Sequence, residues 1–151
     1  MAVFLTILSG VIVFVTGQLI LKLLIDPVQE FKKTVADVAM ALIEYANIYA
    51  NPGIVDREIA KKASQELRKL SSRLNTQIYL VPSYQIVAKV FRLPSKEKIL
   101  KSSKNLIGLS NGVLQSGTGS DLPLANCKKA DAVRDLLGIF VPEDERTEAK
   151  E

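Results

Sequence analysis

The side chains that could do chemistry in this chain are few, and none has a partner at a catalytic spacing. Asp131 and Asp135 lie four residues apart, which would put both carboxylates on one face of a helix. Such a pair can bind a metal ion or exchange a proton, but on a short helix it is more typical of a solvated face. We therefore predict no metal or acid–base site at these two residues.

Cys127 is the single cysteine, so an intrachain disulfide is excluded. It stands beside Lys128 and Lys129 near the predicted start of a helix, an environment that can lower the pKa of a thiol. The chain has no histidine, however, so a Ser-His-Asp or Cys-His arrangement is excluded. Neither a P-loop nor a Rossmann glycine motif is present. The sequence thus predicts a protein that is not an enzyme and binds no cofactor.

The element that must position everything else is an N-terminal membrane anchor. From Ala2 to Leu21 the sequence carries no charged side chain, and about 20 helical residues cross a hydrocarbon core about 30 Å thick. No basic residue precedes the run and no small-x-small cleavage site follows it, so we predict an uncleaved single span. Lys22, Lys32 and Lys33 follow the span. The positive-inside rule then places the N-terminus outside and the C-terminal domain in the cytoplasm.

One face of the predicted span is built from small residues. Thr6, Gly10, Val13 and Gly17 follow one another at spacings of four, three and four residues. Small faces let helices approach closely in lipid, so this face could be a helix-packing surface for self-association. The alternative is that glycine is simply common in membrane-spanning helices.

After the anchor, Asp26 and Pro27 predict the start of a helix, because aspartate caps helix N-termini and proline suits the first turn. An apolar seam then recurs at spacings of three and four residues, as on one helix face. Its members are Val28, Phe31, Val35, Val38, Leu42, Tyr45 and Tyr49. The seam could be a coiled-coil dimer contact or one wall of an intramolecular bundle. The bundle is favoured because later segments supply matching faces.

Those later segments are two further long helices. The turn Asn51-Pro52-Gly53 separates the first soluble helix from a second, over about 55–80, which predicts an antiparallel hairpin. A third helix is predicted over about 96–115. The fold class is therefore all-α: an N-terminal transmembrane helix followed by a small antiparallel helical bundle.

The patterns also predict boundaries along the chain. In chain order these are an anchor over 1–25, a cytoplasmic bundle over 26–115, a flexible loop over 116–126, a short helix over 127–141 and a disordered acidic tail over 142–151.

Within the bundle, two prolines bracket a short amphipathic segment over 82–94. Gln85, Lys89 and Arg92 share one narrow face of it, and apolar residues cover most of the rest. The segment is too short to cross a bilayer. It could lie in the membrane interface with its basic residues towards anionic headgroups, or it could be a short core helix that caps the bundle.

Positive charge is concentrated in the middle of the chain. The whole sequence has a net charge of +4, but residues 57–104 contain twelve basic and three acidic residues, a net charge of +9. A basic surface beside a membrane fits anionic headgroups, although a merely solvated helix face would look the same. Nucleic acid is less favoured because no recognition motif is present. The residues predicted to contact anionic lipid are Lys89, Arg92, Lys61, Lys62, Arg68 and Lys69.

Four stretches carry a resemblance to known proteins: SGVIVFVTGQLILKLLIDPVQEFKK, ALIEYANIYANPG, ELRKLSSRLNTQIYLVPSY and SSKNLIGLSNGV. Over most of residues 8–113 the chain resembles a family of small, uncharacterised bacterial proteins with one N-terminal membrane span. The resemblance implies a bacterial origin and an inner-membrane location. It carries no functional residue over to this chain.

Two functional hypotheses follow. The first is a non-catalytic, membrane-tethered helical scaffold that uses the bundle surface or the apolar seam to hold an unknown protein partner or a second copy. The alternative is a self-associating membrane-active effector, of the phage-defence or toxin type, which perturbs the bilayer. The small-residue face and the 82–94 segment motivate the alternative.

Overall fold

The computed structural model of the protein describes residues 1–115 and 121–140, and within these ranges all regular structure is helical. The helices are α1 (Ala2–Ile20), α2 (Asp26–Glu44), α3 (Ala46–Ala50), α4 (Arg57–Leu80), α5 (Tyr84–Phe91), α6 (Lys96–Gly112) and α7 (Asp121–Leu137), with a π-helical turn (Leu21–Ile25) joining α1 to α2. The predicted all-α fold class is confirmed.

A single continuous helix links the apolar N-terminus to the bundle. It runs from Ala2 to Glu44, over 43 residues, and its most apolar stretch has a mean hydropathy of 2.3. No residue of α1 is buried. By length and composition this helix could cross a membrane, and its apolar side chains have no protein neighbour to cover them.

The second half of that helix is a wall of the core. Six of the seven seam residues are buried and Val35 is half-buried, packed against the same cluster. The chain's own helices therefore occupy the seam. A coiled-coil dimer through the seam is wrong for this fold, and the seam is not a free surface for a partner.

Helix α4 packs beside α2 and runs in the opposite direction. Gln77 of α4 donates a hydrogen bond to the backbone oxygen of Glu30 (3.2 Å), and Arg73 pairs with Asp37 (3.3 Å). Later positions in α4 thus meet earlier positions in α2, so the two helices are antiparallel. The side chain of Asp56 caps the start of α4 by accepting from the backbone N–H of Glu58.

Helix α6 packs antiparallel against α4 through a pair of buried serines. The hydroxyl of Ser71 donates to the carbonyl of Ser103 (2.9 Å), and the hydroxyl of Ser103 donates to the carbonyl of Ser71 (3.3 Å). Each serine hydroxyl thus donates its hydrogen bond to the backbone of the facing helix. The two helices can therefore approach closely without leaving a buried polar group unpaired.

The last helix starts earlier in the chain than the sequence predicts. The flexible loop was predicted to reach residue 126, but α7 begins at Asp121. Pro123 is compatible with this start, because the first turn of a helix leaves its N–H groups unbonded in any case. Asn126 is fully buried and donates a hydrogen bond to the carbonyl of Tyr49 (3.1 Å), which ties this added turn to the bundle. Only 116–120 of the predicted loop lie outside the described residues.

The end of α7 also differs from the boundary predicted at residue 141. The helix ends at Leu137, and Gly138 follows in the left-handed conformation (φ +71°). Glycine adopts this conformation at low cost and commonly follows the last helical turn. The predicted acidic tail, 142–151, lies outside the described residues.

Candidate functional site

The 82–94 segment folds as α5 at the end of the bundle from which α1 leaves. Tyr84 is 3% exposed; its hydroxyl donates to the carbonyl of Pro94 (2.7 Å), and its ring meets Phe31 edge-on with centroids 6.2 Å apart. Ser83 and Arg92 flank α5 in left-handed backbone conformations (φ 45° and 54°). These two left-handed residues bound α5, a helix of eight residues that connects α4 to α6.

The sequence leaves open whether α5 is a core helix that caps the bundle or a segment in the membrane interface, and each of its two faces matches one of these alternatives. Tyr84, Val87 and Ala88 are buried, as a core helix requires. On the other face, Ile86 is 67% exposed and Val90 is 71% exposed. The segment is therefore a cap on the bundle that also presents an uncovered apolar face.

A groove of about 650 Å³ lies between α5 and the start of α6. Three cationic side chains line it: Lys89, Arg92 and Lys96. Among the described residues, none of the three forms an ion pair. Glu97 also lines the groove, but it pairs with Lys101 (2.9 Å), and the hydrogen bond from Lys101 lowers the pKa of the Glu97 carboxyl. The groove is thus a basic pocket at one end of the bundle.

The structure does not bring the six predicted lipid-contacting residues together. Lys89 and Arg92 lie at the α5 end, whereas Lys61 stands nineteen residues before Leu80 at the end of α4. That separation is about 28 Å along the helix, several times the Debye length at physiological ionic strength. Lys62 is beside Lys61 at the far end of the bundle.

The last two of the six lie part-way along α4. Arg68 donates a hydrogen bond to the side chain of Asn111 (2.7 Å), and Lys69 pairs with Glu66 (3.5 Å). Both side chains thus have protein partners. The basic residues form a stripe along the bundle rather than one site.

The small-residue face of the predicted span lies on the exposed helix α1. All four residues are exposed, and nothing lies within 4 Å of the position that a Cβ would take at Gly10 or Gly17. The hydroxyl of Thr6 donates to the carbonyl of Ala2 (3.0 Å), so its own helix satisfies it. The face has room for the close approach of a second helix.

The sequence does not predict a buried polar cluster that the structure forms around Tyr49. Helix α2 breaks at Tyr45, and the Tyr49 hydroxyl donates to the carbonyl of Leu42 (2.9 Å), one of the last four carbonyls of α2. The same hydroxyl accepts a hydrogen bond from Arg134 (3.3 Å), 85 residues later in the chain. Burial raises the pKa of Tyr49, and the nearby Arg134 guanidinium opposes the rise. The cluster fastens α7 to the α2–α3 corner.

The surroundings of Cys127 oppose the thiol activation that the neighbouring lysines suggested. Because α7 starts at Asp121, Cys127 is in the second turn rather than at the helix N-terminus. Burial raises the pKa of the thiol, Asp131 raises it further, and Arg134 lowers it. A raised pKa leaves less thiolate at neutral pH, which is the opposite of a reactive cysteine.

Asp131 is also not part of a solvated carboxylate face. Its side chain is 21% exposed and pairs with Arg134 at 2.8 Å, whereas Asp135 is exposed. Across the described ranges, no group of three or more histidine, cysteine, aspartate or glutamate side chains could hold a metal ion. Arg134 contacts both the carboxylate of Asp131 and the hydroxyl of Tyr49, so Asp131 orients Arg134 towards Tyr49.

No family model matches the chain, and comparisons with curated proteins and with solved structures find no match either. The resemblance to small bacterial single-span proteins, and the bacterial origin it implies, stay predictions.

The environment of Tyr84 predicts a pH dependence of stability. Burial raises the pKa of Tyr84 from 10.0 to about 12, so folding favours the neutral phenol. The contribution of this neutral phenol to the free energy of unfolding is complete below pH 10 and is lost as pH rises through 12. The free energy of unfolding then falls by up to about 1.4 kcal/mol per pH unit. We expect Tyr84→Phe to lower the free energy of unfolding by about 1 kcal/mol at neutral pH, because the hydrogen bond to Pro94 is lost.

Urea unfolding of the full-length protein in detergent micelles at a series of pH values would measure this. Tyr84→Phe should show a shallower fall in stability above pH 10 than the parent, with Tyr45 and Tyr49 accounting for what remains, since burial raises their pKa values too. The same slope in both proteins would contradict the assignment to Tyr84.

Proposed function

We propose that the protein is a non-catalytic, membrane-tethered helical scaffold whose α1 spans the bilayer and whose bundle holds a partner beside it. One observation carries this proposal. The continuous helix Ala2–Glu44 has an uncovered apolar first half and a second half that is a wall of the bundle core. Anchor and domain are therefore one element, with no separate linker between them.

The junction supports a fixed height of the bundle above the membrane. Leu24, three residues past the uncharged run, packs against the hydrophobic core. The core thus extends up to the end of the apolar stretch. A bundle joined in this way presents its outer surface at a set distance from the bilayer, which suits a protein that positions another.

The orientation and the location belong to the same proposal. Lys32 and Lys33 are exposed on α2, just past the apolar run, and Lys22 lies at its end, paired with Asp26 (3.0 Å). The positive-inside rule counts lysine and arginine rather than net charge, so this pairing does not alter the expectation. We place the bundle in the cytoplasm and, by the resemblance, the span in a bacterial inner membrane.

The proposal that the protein is non-catalytic is supported by the surroundings of the few side chains that could do chemistry. Cys127 has a raised pKa, and Asp131 is engaged with Arg134. The polar cluster at Tyr49 joins helices to one another, and its hydroxyl bonds are made to the protein itself. The polar groups of Asp131, Arg134 and Tyr49 are thus engaged in contacts within the bundle, and Cys127 packs against its core.

A partner would have to use the outer surface of the bundle, because the seam is occupied. The surface to probe first is a row of apolar side chains, Leu100 and Ile107 on α6 and Leu114 just after it, which recurs every seven residues and is 41–53% exposed. A photo-cross-linking residue at Ile107 of the full-length protein in its native membrane should capture one heterologous protein repeatedly. The same residue at the exposed Gln65 of α4 is the control. Equal capture at both positions, or none, would contradict a scaffold that uses α6.

A second candidate, the self-associating membrane-active effector, is favoured by the open space at Gly10 and Gly17. For this function we expect induced expression to depolarise the membrane, and Gly10→Leu/Gly17→Leu to abolish both depolarisation and self-cross-links, since the added side chains keep helices apart. Val11→Leu/Val15→Leu, which adds bulk to other positions of the span, is the matched control. Harmless overexpression of the parent protein would count against this candidate.

A further inference from the structure

The end of the bundle next to the anchor is formed by the last turns of α4 and by α5. Gln77 bonds to Glu30 and Tyr84 packs on Phe31, and these α2 residues lie only five and six positions after the π turn that ends at Ile25. At a rise of about 1.5 Å per residue, this is about 9 Å along the helix. Polar headgroups add a layer of about 5–8 Å beyond the hydrocarbon on each side. This end of the bundle is therefore within reach of the bilayer surface.

The same end carries large apolar side chains that the protein does not cover. Their exposed fractions are 87% for Tyr79, 64% for Leu80, 67% for Ile86 and 71% for Val90. The buried face of α5 is turned to the core, so the face with Ile86 and Val90 is turned away from it. Exposed apolar residues are ordinary when single, but four at one end of a domain mark an interaction surface.

Cationic side chains stand beside these apolar ones. Lys89, Arg92 and Lys96 line the groove between α5 and α6, and Glu97, the acid beside them, is engaged by Lys101. Apolar residues with adjacent lysine and arginine are the pattern of a helix that lies in the membrane interface. The polarity of the surface thus matches acidic phospholipid, with acyl chains for the apolar residues and phosphate groups for the cations.

We propose that this tip, formed by residues 79–96, binds the headgroup layer of acidic phospholipids in the same bilayer that α1 spans. Ile86 and Val90 enter the outer acyl region, and Lys89, Arg92 and Lys96 bind phosphate groups. The bundle then touches the membrane at two places, the anchor and the tip, which fixes its tilt as well as its height. This inference rests on the membrane span of the proposed function.

Tryptophan fluorescence can test the tip, because the chain contains no tryptophan. Phe14→Trp, Ile86→Trp and Ile54→Trp place one reporter in the span, at the tip and at the opposite end of the bundle. The full-length variants are reconstituted into vesicles of phosphatidylcholine with or without phosphatidylglycerol, and quenching by lipids brominated near the headgroup is measured. We expect quenching at Ile86→Trp at least about twice that at Ile54→Trp, since interfacial helices lie about 5–10 Å deep at the headgroup boundary.

The three reporters separate the two proposals. If Phe14→Trp is not quenched by lipids brominated along the acyl chain, both the span and the tip contact are overturned. If Phe14→Trp is quenched and Ile86→Trp is quenched no more than Ile54→Trp, the tip contact alone is overturned. Protection of Ile86→Trp from lipid and from aqueous iodide alike would show that protein covers the tip, and would overturn the lipid assignment as well.

Charge variants in the Ile86→Trp background test the headgroup contact. Lys89→Gln/Arg92→Gln/Lys96→Gln should remove the increase in quenching that phosphatidylglycerol brings. Arg57→Gln/Lys61→Gln/Lys62→Gln is the matched control, because it removes the same number and kinds of charge from exposed residues at the far end of α4. It should leave the increase intact. Equal effects of the two triples, or no dependence on phosphatidylglycerol in the parent, would overturn the role of the groove.

Discussion

Replacing Phe31 with alanine should lower the free energy of unfolding of the bundle by about 3–5 kcal/mol, the usual cost of truncating a buried phenylalanine. Phe31 is fully buried, and its ring packs edge-on against Tyr84. The change removes apolar contacts from the core and leaves a cavity where α2 meets α5. Few single substitutions in the described residues should cost more.

The measurement is urea unfolding of the full-length protein in detergent micelles, followed by far-UV circular dichroism. A span within the micelle keeps its helix hydrogen bonds in urea, so the transition reports the bundle. Ile43→Ala is the control: it lies on the same helix but is 72% exposed, and surface substitutions of this kind change stability by about 0.5 kcal/mol or less. Similar losses for the two variants would mean that α2 does not pack as described.

Replacing Gly112 with alanine should lower the free energy of unfolding by about 1–3 kcal/mol, as overpacking a core does. A Cβ at Gly112 would stand closer than 3.0 Å to the outer atoms of the Asn126 side chain. Asn126 is fully buried and bonded to the carbonyl of Tyr49, so it cannot move aside without breaking that hydrogen bond. This cost should exceed the gain of up to about 1 kcal/mol that alanine brings to a helix over glycine.

The matched control is Gly108→Ala, one turn earlier on the same helix. Its added Cβ would lie 3.4 Å from the side chain of Lys129, an ordinary contact with a flexible chain. We expect no loss, or a gain of up to about 1 kcal/mol, from the better helix propensity of alanine. Equal effects of Gly108→Ala and Gly112→Ala in urea unfolding would show that α6 and α7 do not pack through Gly112 and Asn126.

The features that follow a local repeat could be predicted from the sequence. The uncharged run from Ala2 to Leu21 predicts the long apolar helix at the N-terminus, and the period of the seam predicts the first bundle helix, because both depend only on spacing along one helix. The antiparallel pairing of α2 with α4 follows in turn from the short turn at Asn51-Pro52-Gly53.

Features that depend on distant residues could not be predicted. The hydrogen bond between Tyr49 and Arg134 joins residues 85 positions apart, and no sequence pattern near either residue predicts the other as its partner. The early start of α7 has the same origin, because Asn126 is held by Tyr49 from another helix, while Pro123 and the turn-rich residues before it favour a loop.

The basic residues show how sequence proximity misleads. Lys61 and Lys89 fall in one charged stretch, but α4 is 24 residues long and carries Lys61 to the far end of the bundle. Only the fold decides which charges share a surface. The sequence likewise does not decide whether α5 is an interfacial segment or a core helix that caps the bundle, since its exposed face fits the first and its buried face fits the second.

The proposed tether requires that α1 crosses a membrane with the bundle on one side, and cysteine accessibility tests this directly. In a Cys127→Ala background, Val3→Cys and Lys104→Cys place single thiols before the span and on the exposed face of α6. In intact bacterial spheroplasts, a membrane-impermeant maleimide should label Val3→Cys, and it should label Lys104→Cys only after lysis. Labelling of both positions from the same side would contradict the membrane-spanning anchor and, with it, the tethered scaffold.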